Sequence, residues 1–474
     1  MAGFQRRIKV GGLIMATIVK RNQSYAVVYY YKDENGEEKQ KWETVKTYKE
    51  AQKRKAEIEV QQNTFSFIAP SSQTLSEFLD DFVMLYGEKK WGISMYESQT
   101  ALIENYIRPI IGNVPVQEIS PLVVDKYLNT LKKTPAVSTK MRKARTKYVT
   151  PKTIEKIYKL LRTAFKQAVK WNLIAKNPFD SAILEKTTYA KRDIWTADTI
   201  RQALDGCQKG RLYIAINLSF ACSLRLGEIT GLRWQNVFID DESISQDDAH
   251  LWIDAEIERA KLSTIDRLDK KDIYIVFPQV MPGSESRLVL KKPKTETSIR
   301  KVWLPKTVAY ILREWKANQD ELKEYLGDEY FDYDLVVCLS NGRPCDGRIL
   351  EKDFEKLKTE IGLPDVVFHS LRRSSTIYKL KLNHGDIKAT QGDTGHAEAD
   401  MITKVYSHIL DEDRKLNAKS FEESFYQKAN PDLRKVEVPK TDAPPDISIA
   451  DLIGQLQSNP ELLRQLASLL SSSQ

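Results

Sequence analysis

The chain has 474 residues, 41% hydrophobic and 29% charged, which is too long for one compact core and predicts two or three domains of a soluble globular protein. No apolar run reaches the roughly 18 residues of a membrane span and "VGGLIM" (10–15) is too short for a secretory core, so the expected location is cytoplasmic, with no membrane association. The net charge of +8 is modest, and the four cysteines, Cys207, Cys222, Cys338 and Cys345, have neither CxxC spacing nor the number for a disulfide framework, which argues for reduced thiols and against structural zinc.

Residues 1–14, before Met15, read as a leader. Residues 15–69 form a small β-rich unit: strands in "TIVK" and "SYAVVYYYK", a turn at Asn35-Gly36, a third strand, and a helix opened by Thr47 with Glu50 at capping-box spacing. From 73 to 180 the pattern is helical, and "TLSEFLDDFVMLY", "SMYESQTALIENYIRPII", "SPLVVDKYLNTLKK" and "TPKTIEKIYKLLRTAFKQAVKWNLI" give four helices. Between Leu131 and Leu160 lie ten Lys or Arg, including Lys132, Lys133, Lys140, Arg142, Lys143, Arg145, Lys147 and Lys152, against one acid, Glu155. A solvated helix face mixes signs, so this stretch predicts a polyanion partner.

Residues 181–196 read as a basic linker ending at a helix start, Thr196. Residues 197–425 are mainly helical with a β stretch from His250 to Leu304, in which "DDESISQDD" and "KLSTIDRLDKKDIY" look like loop insertions. In the tail, 426–474, Pro460 suits a helix start, and Leu462, Leu463, Leu466, Leu469 and Leu470 form one stripe.

Three stretches carry chemistry. In "ACSLRLGEITGLRW" (221–234), Arg225 and Glu228 are one helical turn apart; alone, such a pair is usually a surface ion pair worth under about 1 kcal/mol. In "KKPKTETSIRKVWLP" (291–305), Lys294 is expected at a hairpin turn, with Arg300, Val302 and Leu304 on the returning strand. Four of the five histidines, His369, His384, His396 and His408, fall within forty residues, with Arg372 three after His369 and Tyr406 ten after His396. Their spacings match no common zinc pattern. Tyr406 shares a stripe with Met401, Ile402, Val405 and Ile409, so the residues alone leave it open between core aromatic and nucleophile, and Tyr378 is a rival hydroxyl.

Two arginines, two histidines, a lysine and a tyrosine have one coherent joint use, metal-free attack on a phosphodiester. Guanidinium forks neutralise a five-coordinate transition state, tyrosine is the covalent nucleophile and lysine protonates the departing 5′ oxygen.

With "LRLGEITGLRW", "PKTETSIRKVWLP", "HSLRRSS", "TGH" and "VYSHI" in this order, the chain resembles the tyrosine recombinases of the phage and conjugative-transposon integrase kind over roughly 15–425. The resemblance implies a multidomain, mainly α protein with small β elements: a β-rich arm-binding-like unit (15–69), a helical core-binding domain (73–180) and a mixed α/β catalytic domain (197–425). It implies that Arg225, Lys294, His369, Arg372 and His396 surround the scissile phosphate, that Tyr406 forms a 3′-phosphotyrosine link, and that Glu228 stands behind them. Lys20 and Arg21 would meet arm-site DNA and the basic stretch core-site DNA. The implied partners are double-stranded DNA, a homotetramer on that DNA and a directionality factor, with no cofactor and no metal. Arg373 and Thr394 depart from the family pattern, and an insertion around 255–290 lengthens the interval to Lys294, leaving Lys291 and Lys292 in contention. The competing readings are a type IB topoisomerase-like enzyme, a catalytically inert DNA-binding relative and a helical scaffold with a basic patch.

Overall fold

The computed structural model describes residues 16–395 except 33–35, 65–66, 139–142, 186–192, 280–281 and 384, together with residues 9–10, 13–14, 460, 461 and 464. The elements below belong to the first of two compact units, residues 1–405. Lys140, Arg142, Asn35, His384, His396, Tyr406, His408 and the leucine stripe of the tail lie outside the described residues.

Strands β1 (Thr17–Arg21), β2 (Ser24–Lys32) and β3 (Glu38–Val45) form an antiparallel sheet with β2 in the middle. The central position suits the aromatic and β-branched content of β2, of which Ala26, Val27, Val28 and Tyr29 are buried. Helix α1 (Tyr48–Asn63) covers one face with Ala51 and Ile58. Its start is the expected reciprocal cap: the Glu50 N–H donates to the Thr47 hydroxyl and the Thr47 N–H to the Glu50 carboxylate, both at 3.2 Å.

Four helices follow, as the periodicity predicts. They are α2 (Leu75–Phe82) and α3 (Ile93–Leu102), each prolonged by a π turn, then α4 (Pro121–Leu131) and α5 (Pro151–Lys170). Both α4 and α5 begin with proline behind a hydroxyl cap, Ser120 and Thr150, because the missing proline N–H has no intrahelical partner to lose. Phe78, Phe82, Trp91, Phe165 and Phe179 fill their shared core. Between α4 and α5 the basic segment folds back on itself, with the Ala136 N–H on the Lys147 carbonyl (3.1 Å) and the Val149 N–H on the Thr134 carbonyl (3.0 Å).

The largest core runs from Trp195 to Leu371. Trp195 falls in the stretch read as linker, yet it is 2% exposed and its indole donates to the Pro364 carbonyl at 3.0 Å, so the end of that segment belongs to this core. Helix α6 (Ala197–Asp205) starts at Thr196 as predicted and is followed by α7 (Gly210–Ala221) and α8 (Leu226–Gly231). Strand β4 (Val237–Phe238) precedes the expected β stretch, which holds β5 (His250–Ile253), β6 (Glu256–Lys261), helix α9 (Leu262–Arg267), β7 (Ile273–Val276), β8 (Ser286–Lys291) and β9 (Arg300–Trp303). The last helices are α10 (Lys306–Leu326), α11 (Gly347–Glu360), α12 (His369–Leu382), which packs on α7, and α13 (Ile387–Thr394).

Two expectations are corrected here. Residues 291–305 are not a hairpin: β8 pairs with β6 and β7, whereas β9 pairs with β5. The ladder Ile253↔Arg300 resumes only at Glu256↔Lys291, so the two residues 254–255 face the eight-residue excursion 292–299. Pro293, which has no N–H to give a ladder, and a 3₁₀ turn at Glu296–Ser298 account for the break. Nor are the insertions plain loops. Asp241–Ser245 is a short helix, and α9 with β6, β8 and β7 makes a small sheet docked on α3. Ile93 packs there with Ala260, Ile265, Leu268 and Val289, and the Glu97 carboxylate accepts the Lys261 N–H at 2.6 Å.

Candidate active site

At the end of α7 the chain turns through Ser223, whose φ of 55° is left-handed and whose hydroxyl lies 2.6 Å from that of Ser375. This re-aims the backbone so that Arg225, in extended conformation, caps α8. Its N–H donates to Glu228 Oε2 at 3.0 Å and its Nη1 to Glu228 Oε1 at 2.5 Å. Glu228 is 1% exposed, which overturns the surface-ion-pair reading of Arg-x-x-Glu.

The carboxylate is tolerated inside because further guanidinium groups surround it. Arg300 Nη2 reaches Oε2 at 3.1 Å and Arg300 Nη1 reaches Oε1 at 3.3 Å, while Arg372 Nη1 stands 3.9 Å from Oε2. Burial alone would raise the Glu228 pKa, but Arg300 and then Arg225 outweigh it and hold the carboxyl below its ordinary range. Burial first, then the like charges of Arg225 and Arg300, lower the Arg372 pKa to about 9 against the opposing pull of Glu228.

Three consecutive carbonyls at the end of α13 each accept from a different arginine. Arg300 Nε takes Asp393 (3.0 Å), an Arg372 amino group takes Thr394, and Arg225 Nη2 takes Gly395 (3.2 Å). These are orphan carbonyls at the negative end of a helix, where cations are stabilising. Gly395 is left-handed (φ 61°), and a Cβ there would meet Arg300 Cδ at 3.0 Å. His396 is the next residue in sequence.

The three contending lysines differ in what they touch. Lys291 is buried and paired with Glu256 at 2.8 Å, and Lys292 is paired with Glu296 at 2.8 Å. Lys294 lies exposed on the excursion and lines a cleft of ≈ 460 Å³ together with Arg225, Ser298 and residues 92–95, 98 and 99; Lys291 lines it too, with Glu256 and Glu258. His369 begins α12, one turn before Arg372, and is exposed; neither residue lines the cleft. Tyr378 packs against Phe220, with ring centroids 5.5 Å apart and planes tilted by 39°.

Residues 74–132 match the family described as phage integrase, N-terminal SAM-like domain. A tyrosine recombinase XerC-like protein of Caldanaerobacter subterraneus subsp. tengcongensis is 23% identical over 270 residues, which is 55% of this chain and 63% of that protein. The ICEBs1 integrase of Bacillus subtilis is 20% identical over 317 residues, 64% of this chain and 73% of that one. Among solved structures, the Tn1549 transposon integrase in complex with a circular intermediate DNA has a TM-score of 0.55 at 16% identity, covering 74% of this chain and 100% of that one. The same integrase with transposon right end DNA gives 0.53 at 17% identity, with 73% and 99% covered. The chain is a relative of the tyrosine recombinases.

In this recombinase relative the residues expected on DNA lie at the surface where they are described. Lys133, Lys143, Arg145, Lys147 and Lys152 are exposed; Lys132 is too, in an ion pair with Glu185 at 2.6 Å. Lys20 and Arg21 are exposed on β1, and the Arg21 guanidinium sits 4.6 Å over the Trp42 ring. Sequence reasoning passed over Arg300 as a member of the site. Its signal was the alternation Arg300, Val302, Leu304, which places a cation on the buried face of a strand, where it needs an anion.

Proposed function

We propose that the chain is a site-specific recombinase, an integrase that cuts and rejoins DNA through a 3′-phosphotyrosine intermediate to integrate or excise a mobile element. The observation that carries this reading is the buried Glu228, which gathers Arg225, Arg300 and Arg372 beside the segment leading into His396. Three guanidiniums around one carboxylate leave an excess of positive charge suited to a pentacoordinate phosphate. Relatives that include integrases, one of them solved on transposon DNA, support the substrate class.

In the proposed reaction the Tyr406 oxygen attacks phosphorus in line with the 5′ oxygen. Arg225 and Arg372 hold the non-bridging oxygens, with His369 and His396 completing the shell. The phosphorus–oxygen bond to the 5′ side breaks as Lys294 gives that oxygen a proton, and the tyrosyl link conserves the bond energy for rejoining. A tetramer on two duplexes would exchange strands. The basic stretch 132–152 would contact core-site phosphates, and Lys20 and Arg21, on the 15–69 unit, an arm site.

A suicide DNA substrate tests this. Wild type is expected to form a covalent adduct without metal or ATP, Tyr406→Phe to bind without forming it, and Tyr378→Phe to react. An adduct that survives in Tyr406→Phe sinks the mechanism, and one formed equally on unrelated sequences favours a topoisomerase.

A further inference from the structure

Arg300 is 7% exposed and four of its five N–H donors end inside the protein. Nε donates to the Asp393 carbonyl at 3.0 Å, Nη1 to Glu228 Oε1 at 3.3 Å and to the Ser298 carbonyl at 2.9 Å, and Nη2 to Glu228 Oε2 at 3.1 Å. It does not line the cleft that holds Lys294, and with four N–H groups engaged it has one left for any ligand. Its partners belong to three separate stretches of chain. Glu228 holds Arg225; Ser298 closes the excursion that carries Lys294, and its hydroxyl also accepts from Arg225 at 3.2 Å; Asp393 lies three residues before His396.

We propose that Arg300 is a positioning residue for strand cleavage, a strut that sets the spacing of Arg225, Lys294 and the chain entering His396 without touching DNA. The proposal rests on the recombinase reading above. A planar fork suits this role: only a guanidinium offers Nε and both amino groups in one plane, so it can take a carboxylate on one edge and carbonyls on the others. A lysine would keep the charge beside Glu228 and lose that geometry. Gly395 fits the same account, because a side chain there would press on Arg300 Cδ and Nη1, at 3.0 and 3.1 Å from its Cβ.

The test compares wild type, Arg300→Lys and Tyr406→Phe on a suicide substrate at saturating DNA in single turnover. Arg300→Lys is expected to fold with a lowered melting point, since buried acceptors lose donors, and to bind DNA with the wild-type salt slope, while adduct formation slows by about a hundredfold, as a misplacement near 1 Å can cause. A substrate whose 5′ bridging oxygen is replaced by sulfur, a leaving group that needs no proton, should return part of that rate, because part of the loss runs through Lys294. A merely structural role would not distinguish the two substrates. Wild-type cleavage by Arg300→Lys overturns the proposal, as does a loss of affinity equal to the loss of rate, which would make Arg300 a DNA ligand. If Arg300→Lys fails to fold, the double variant Glu228→Gln with Arg300→Met, which removes both buried charges together, takes its place. It should likewise bind DNA and cleave slowly; wild-type cleavage by it overturns the proposal. Absence of an adduct in wild type, or its survival in Tyr406→Phe, refutes the recombinase reading instead and is told apart by those two controls.

Discussion

Glu228 shows how one side chain can be costly alone and necessary in company. Removing it as Glu228→Ala leaves Arg300 and Arg372 buried without their anion, and the expected loss is about 3–5 kcal/mol in urea unfolding. Glu228→Gln separates charge from shape. The folded-state pKa lies below the ordinary 4.5, so the native state binds fewer protons than the unfolded chain; the stabilisation is complete above pH 4.5 and fades as the pH falls below it. Unfolding curves taken in steps from neutral to acid should show a constant gap between wild type and Glu228→Gln above about pH 5 that closes in acid. A gap that widens in acid contradicts the charge assignment.

Two elements carry expectations of their own, and magnitudes decide which contacts matter. The insertion sheet meets α3 through an apolar cluster, and α9 adds exposed polar contacts such as Arg267–Glu88 at 2.6 Å. Arg267→Ala should cost under about 1 kcal/mol, whereas Ile265→Ala, at a residue 2% exposed, should cost about 2–5 kcal/mol. Hydrogen exchange reads the coupling: with Ile265→Ala, protection should drop in α9 and at the start of α3 together, and a drop confined to α9 would show that the docking adds nothing to α3. The basic segment between α4 and α5 should behave differently. Replacing Lys140, Arg142, Lys143 and Arg145 with alanine should weaken specific and random DNA alike, lowering the salt slope by about 0.9 for each phosphate that is no longer neutralised. An unchanged slope removes this segment from the interface.

For the molecule as a whole, the cleft between α3 and the excursion bears on DNA entry. Residues 92–95 on one side and Lys294, Thr295 and Ser298 on the other wall the same cleft as Arg225, and DNA that engages Arg225 and Lys294 is expected to part those walls. A disulfide placed between residue 95 and residue 295, which line the two sides of the cleft, should abolish adduct formation when oxidised and restore it on reduction. Cleavage unaffected by oxidation would show that the site is reached by another route. A protein truncated to begin near Gln73 should still cleave core sites yet integrate poorly, as expected if β1 to β3 serve a second DNA sequence; equal integration would assign that unit another role.

Local interactions were legible in the sequence. The Thr47–Glu50 cap, the start at Thr196, the four helices of 73–180 and the strand β2 rest on contacts within a few residues, which composition and period encode directly. Arg225, Glu228 and Arg372, singled out by motif, do meet in the structure, because chemistry restricts residue type. Tertiary structure decided the rest: Arg300 meets Glu228 across 72 residues, Arg225 meets Gly395 across 170, and Glu97 meets Lys261 across 164. No periodicity links positions so far apart. Whether a lysine is buried in an ion pair, as Lys291 is, or exposed, as Lys294 is, follows from which strands pair, although both line one cleft. An eight-residue excursion facing two residues is invisible until both sides of the ladder are in register.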